Sequence, residues 1–255
     1  MIDILKGRYW DEGVKLVSGC TRCSDGCKNC WSLAMEYRFT GTHDKYGNIK
    51  ALPANEIEVY PDRLKRFNTR KPKVFALWND LFHEDVPDEF ILNSYTQMMR
   101  YNQNTYLILT KRQSRMLSLI LTMRDILKKQ GVVSPETFPE YHIYHGLTVC
   151  NQQEADEKIP IFLQVPGKKF LSIEPCLGNI SLWDTYLNIK WVEYFDVVIM
   201  GAETGAGARP MDVEWVETIM DECEVAGTPF FLKQLDKKHN RILDGVTHDA
   251  LPWVK

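Results

Sequence analysis

Seven short apolar runs rich in β-branched and aromatic residues punctuate the chain, at 15–20, 73–78, 105–110, 142–149, 169–174, 196–202 and 229–234. Their apolar residues stand side by side and do not alternate with polar ones. That is the pattern of strands buried on both faces, and so of a parallel sheet lying under helices. Between the runs, residues 88–102, 112–130 and 212–226 carry apolar side chains at three- and four-residue spacing, and residues 29–39 also read as helix. Asp212 stands where the last of these helices needs an N-cap, and Gly227 where it needs a terminator. Seven alternations predict an α/β fold: a complete or partial (β/α) barrel of the TIM type with about seven parallel strands. A doubly wound open sheet is the alternative. No linker, repeat or low-complexity tract divides the chain, so residues 1–255 read as one domain. The longest excursion, about residues 40–72, reads as an insertion facing the substrate.

The carboxyl ends of these runs are polar in a way the runs are not. They read Asn79-Asp80-Leu-Phe-His83, Thr110-Lys111-Arg112, Thr148, Ser172-Ile-Glu174, Glu203-Thr-Gly and Lys233-Gln234. Barrels and open α/β sheets bind ligands outside the carboxyl ends of their strands, so these residues are candidates for one site. The stretch Gly201-Ala-Glu-Thr-Gly-Ala-Gly207 would let backbone N–H groups approach an anion. Its spacing fits neither a dinucleotide fingerprint nor a P-loop.

Composition narrows the class. With 44% hydrophobic and 25% charged residues the chain has globular proportions, which exclude disordered, collagen-like and coiled-coil classes. No run approaches the roughly 18 apolar residues of a membrane span. The first residues lack the apolar core of a secretory signal, so a cytoplasmic protein is expected. Lys and Arg number 31 against 34 Asp and Glu, a net charge of −3. Contact with nucleic acid must then be local, because duplex binding by phosphate neutralisation calls for a basic face. Arg63, Lys65, Arg66, Arg70, Lys71 and Lys73 put six positive charges within eleven residues and supply one candidate.

The cysteines change the picture most. Of seven, Cys20, Cys23, Cys27 and Cys30 fall within eleven residues on the loop after the first run. Cys150, Cys176 and Cys223 stand singly in apolar surroundings and read as core residues. Clustered thiols in a reducing compartment point to a soft metal and away from disulfides. Two centres compete. Zinc would use Cys20-x2-Cys23 and Cys27-x2-Cys30, although a zinc ribbon separates its pairs by about 15–20 residues. Iron–sulfur clusters use short runs with two- and three-residue gaps. Cys23-x3-Cys27-x2-Cys30 has the spacing of the radical S-adenosylmethionine (SAM) enzymes, and Cys20-x6-Cys27-x2-Cys30 is a second possible triplet.

The block Gly19-Cys-Thr-x-x-Ser-x-Gly-Cys27-x-x-Cys30-Trp resembles a phage-encoded family that belongs with the radical SAM enzymes and is related to spore photoproduct lyase. Asp80-Leu-Phe-His83-Glu-Asp-Val-Pro, Leu109-Thr-Lys-Arg112, Leu171-Ser-Ile-Glu-Pro175, Gly201-Ala-Glu-Thr-Gly-x-Gly-Ala-Arg-Pro210 and Phe230-Phe-Leu-Lys-Gln234 look like its further blocks, in the same order. The resemblance implies a barrel of the radical SAM kind with a [4Fe–4S] cluster held by Cys20, Cys27 and Cys30. Cys23, where the family usually has no cysteine, is the alternative to Cys20. It also implies that SAM binds the open iron and is cleaved by one electron from an external reductant, giving a radical that abstracts a substrate hydrogen. Thr110, Lys111, Ser172, Glu174 and Glu203 are the candidates for holding SAM. Asp80, His83 and Lys233 are the catalytic candidates, and Asn79 and Gln234 would reach substrate. Trp31 would shield the cluster. The expected substrate is a nucleobase, a modified pyrimidine of phage DNA, with Arg66, Arg70 and Lys71 on the polynucleotide and Tyr60, Phe67, Trp78 and Phe82 as stacking groups. Rearrangement, group transfer and bond cleavage all remain open, as does a free nucleotide as substrate. A non-catalytic, zinc-stabilised binding protein is the reading from a different class.

Overall fold

Successive side chains of each strand enter two different apolar layers, which is why the runs look uniformly apolar in sequence. In the computed structural model, which describes residues 2–39, 42–43, 49–50, 56–129, 141–184 and 188–254, the strands are β1 (Glu12–Lys15), β2 (Val74–Trp78), β3 (Thr105–Thr110), β4 (Ile143–Thr148), β5 (Lys168–Ile173), β6 (Val197–Gly201) and β7 (Phe230–Gln234). They form one seven-stranded parallel sheet in sequence order, curled into a half-barrel. The order runs one way across the sheet, without the reversal that a doubly wound sheet requires.

Tyr106 and Ile108 of β3 face the helices, while Leu107 faces the concave side with Val74, Tyr144, Phe170, Val197, Ile199 and Phe231. The helices are α1 (Trp31–Phe39), α2 (Asp88–Arg100), α3 (Gln113–Lys129), α4 (Gln152–Phe162) and α5 (Val213–Ala226). Met116, Ile120, Met123 and Leu127 form the buried stripe of α3, and Val216, Ile219 and Cys223 that of α5. Asp212 caps α5 by accepting from the Glu214 N–H, and Gly227 ends it in the left-handed region at φ 70°. Chain ends plug the amino-terminal half of the concavity. Trp253 donates through Nε1 to the Tyr9 carbonyl at 2.9 Å, and residues 248–250 pair along the outer edge of β7. Gly146 makes room on this inner face, because a Cβ there would lie 2.2 Å from the Phe170 ring.

Two expectations are corrected. The first strand is Glu12–Lys15, not 15–20, and Val17–Ser18 instead pairs antiparallel with Glu58–Val59. Pairing with β2 sets this register, and the polar composition of Glu12-Gly-Val-Lys concealed it. The β5–β6 crossover carries no α-helix among the described residues. A short hairpin (Trp183–Asp184 with Ile189–Lys190) and a 3-10 turn at Trp191–Tyr194 take its place. The expected insertion at about 40–72 is described only in part. Residues 40–41, 44–48 and 51–55 lie outside the described residues. Its described end forms a 3-10 segment, Pro61–Phe67, that buries Leu64 and Phe67 and flanks β1 from Lys15, where Arg63 bonds, back to Glu12, where Arg66 bonds. Among the described residues no helix is long and apolar enough to cross a membrane.

Candidate active site

Two to four residues further along the strands, the inward face that buries Val74, Tyr144, Phe170 and Phe231 turns polar. Thr148 follows Tyr144 and Gly146, Glu174 follows Phe170 and Ser172, and Lys233 follows Phe231. A cavity of about 200 Å³ opens there. All four clustered cysteines border it, together with Asn79, Asp80, Thr110, Lys111, Glu174 and Lys233. Trp10, Trp31 and Trp78 supply its aromatic wall, Trp31 standing edge-on to Trp78 at 5.6 Å.

The loop carrying the thiols is built by its own small residues. Ser24 caps a 3-10 turn at Asp25–Cys27, its hydroxyl accepting from the Gly26 N–H at 3.1 Å. Gly26 lies directly on the barrel rim, where a Cβ would come within 2.4 Å of Cys150 Sγ and 3.1 Å of Pro175. Two arginines then clamp the loop from either side. Arg112 donates to the Thr21 carbonyl at 3.2 Å and hydroxyl at 2.9 Å, and reaches Cys20 Sγ at 3.8 Å. Arg209 donates to the Asp25 carbonyl at 3.1 Å while bonding Glu203, which also accepts from Asn29 at 2.9 Å. The result buries Cys27, half-buries Cys20 and Cys30, and leaves Cys23 exposed.

Charge around the thiols is balanced by the buried Arg112 and the half-buried Lys111. The Arg112 guanidinium is only 6% exposed and donates to Asp80 at 2.9 Å and to Glu84 at 2.7 Å. Asp80 accepts further from the Thr110 hydroxyl at 2.6 Å and the Phe82 N–H at 3.0 Å. Burial works to lower the Lys111 ammonium, but the sulfurs of Cys150, Cys27, Cys30 and Cys23 around it outweigh burial and raise it. A hydrogen bond from the Cys23 thiol holds Cys27 below the usual thiol range, whereas burial pushes Cys20 up to about 11. Across the cavity Lys233 Nζ spans both Glu174 oxygens at 2.6 and 2.8 Å, and Gln234 donates to the same carboxylate at 2.9 Å. Among the described residues no three His, Cys, Asp or Glu side chains are grouped so as to hold one metal ion.

Several expected residues fall elsewhere. His83 is buried behind the cysteine loop and does not border the cavity. Its Nδ1 accepts from the Asp85 N–H, so Nε2 carries the proton and donates to Thr21 at 2.8 Å. Burial, with Arg112 nearby, lowers its pKa and keeps it neutral. Glu203 is likewise outside the cavity, its carboxylate taken up by Arg209 and Asn29. Gln234 stands behind Glu174, and its side chain also donates to the Ala202 carbonyl. Ser172 points inward between Phe170 and Glu174, and its buried hydroxyl has no partner among the described residues. Arg66, Arg70 and Lys71 line a separate concavity with Glu12 and Lys73, at the amino ends of β1 and β2. They therefore stand apart from the thiol-lined cavity, because the 3-10 segment carries the chain down the sheet edge. Of the stacking candidates, Phe67 and Phe82 are fully buried and Tyr60 lies under Arg63, while Trp78 reaches the cavity. Arg112, Arg209 and Trp10 escaped the sequence reading, although Arg112 does end a strand-terminal polar triplet.

Fold and site together define an α/β half-barrel protein with a thiol-lined pocket at the carboxyl ends of its strands. The chain belongs to the family described as Protein of unknown function (DUF5131), whose model matches residues 6–252. No curated protein and no solved structure matches it.

Proposed function

We propose that this protein is a radical SAM enzyme that rearranges or modifies a nucleobase, with a [4Fe–4S] cluster held by Cys20, Cys27 and Cys30. One observation carries the reading: the four clustered thiols border the same cavity as Lys111, Glu174, Lys233 and Asp80, at the carboxyl ends of a sequential parallel half-barrel. The donor set fits an anionic sulfur-rich group. Lys111 and the hydrogen-bonded Arg112 offset thiolate charge, and donors to ligand sulfurs are a recognised means of tuning such centres. Cys20 is favoured over Cys23 because Arg112 holds it inward while Cys23 faces solvent.

When bound, the cluster and SAM supply a carbon radical able to abstract hydrogen, after one electron arrives from an external reductant. The chain's own residues do the positioning. The Glu174–Lys233 pair, with Gln234 behind it, offers both charges to a zwitterion or to sugar hydroxyls. Trp10, Trp31 and Trp78 offer flat apolar surface to an aromatic ring, which suits a base presented out of its stack.

Iron and sulfide analysis of anaerobically purified protein tests the proposal. About four of each per chain, with SAM cleavage on reduction, are expected. A colourless protein with about one zinc, unchanged by reconstitution and indifferent to SAM, would favour a zinc-stabilised binding protein.

A further inference from the structure

We propose that the concavity at the amino ends of β1 and β2 is a docking site for the phosphate backbone of a nucleic acid, separate from the thiol-lined pocket. This inference rests on the electrostatics of that face alone and stands or falls independently of the radical chemistry. The concavity measures about 750 Å³ and is lined by Arg66, Arg70, Lys71 and Lys73, with Glu12 as its one carboxylate. Arg66 and Lys73 share that carboxylate, each at 2.6 Å. Arg70 and Lys71 are exposed and have no acidic partner among the described residues. On a chain of net charge −3 the lining of this concavity holds four cations against one anion.

The cations are held by a fixed loop. Asn104, 1% exposed, donates to the Phe67 carbonyl at 2.7 Å and accepts from the Thr69 hydroxyl at 2.8 Å and the Lys73 N–H at 3.0 Å. Gln103 donates to the Thr69 carbonyl at 3.2 Å. A loop pinned at 67, 69 and 73 keeps like charges together against their repulsion, so an arriving polyanion meets a preorganised field. Four cations around one wide concavity suit several successive phosphates better than a single one. Phosphate contacts set register and affinity without reading sequence. Held at the opposite ends of the strands, the bound backbone would tether a polymer to the protein without touching the pocket.

The test is fluorescence anisotropy with a labelled DNA duplex and the full chain, from about 50 to 200 mM salt. Arg66→Gln/Arg70→Gln/Lys71→Gln should flatten the log–log salt slope by about 2.7, at about 0.9 per lost contact on a duplex. Glu12→Gln, which removes the opposing charge, should tighten binding. Lys71→Gln alone, at an exposed side chain, should lower the slope by about 0.9 and guards against a misfolded triple variant. Competition with inorganic phosphate at matched ionic strength should leave DNA bound. Absence of DNA binding by the wild type, an unchanged slope in both variants, or displacement by phosphate would each overturn the proposal.

Discussion

Arg112→Met isolates the group that ties the cysteine loop to the barrel. The guanidinium and Asp80 are 6% and 9% exposed and lie 2.9 Å apart. Removing one partner of a buried ion pair costs about 3–5 kcal/mol, because the other charge stays buried without compensation. Asp80 keeps donors from Thr110 Oγ1, the Phe82 N–H and the Lys111 N–H. The lower end of that range, about 3 kcal/mol, is therefore expected. For a chain of this length that corresponds to a fall in Tm of about 6–12 °C. Loss of the two bonds to Thr21 frees Cys20 as well, so iron content should fall alongside stability. The assay is urea denaturation of wild type, Arg112→Met, Asp80→Asn and the double variant. A coupling of about 1–3 kcal/mol is expected across the cycle. A single-variant cost under about 1 kcal/mol, or no coupling, would mean that water already screens the pair, and the clamp argument would fail.

Four further outcomes follow from named contacts. Serine at Cys20, Cys27 or Cys30 should abolish the iron signal, while Cys23→Ser should leave it nearly intact; the opposite pattern for Cys20 and Cys23 would reassign the ligands. Gly26→Ala drives a Cβ into Cys150 Sγ and should lower iron incorporation in a folded protein, with partial recovery in Gly26→Ala/Cys150→Ala. Gly146→Ala should destabilise the barrel by about 1–3 kcal/mol through collision with the Phe170 ring, relieved by Phe170→Leu; equal thermal melts for the single variant and wild type would refute it. Burial would raise Glu203, but hydrogen bonds from Arg209 and Asn29 outweigh it and bring its pKa to about 2. Its stabilising contribution is thus complete above the ordinary carboxylate value of about 4.3 and fades as pH falls toward 2, so the acid-denaturation curves of wild type and Glu203→Gln should differ above pH 4 and converge below it.

Much of the half-barrel was legible in the chain because period-2 burial on both faces leaves continuous apolar runs, as in Thr105–Thr110 and Val197–Gly201. The polar strand ends and the thiol cluster were legible too, since four cysteines in eleven residues stand out against any background. Less legible was β1, where Glu12-Gly-Val-Lys gains its place only through register with β2. Partnership was not legible at all. Glu203 and His83 have residue types suited to a site, yet Glu203 meets Arg209 and Asn29, and His83 meets Thr21, behind the loop. Arg66, Arg70 and Lys71 just precede β2 and so lie at its amino end, away from the pocket, but which of them meets Glu12 only packing decides. Sequence specifies which side chains are available and, through periodicity, which face of an element they occupy. Whether a charge is free to bind a ligand depends on what crosses from other elements within about 3 Å, and that is a property of tertiary packing.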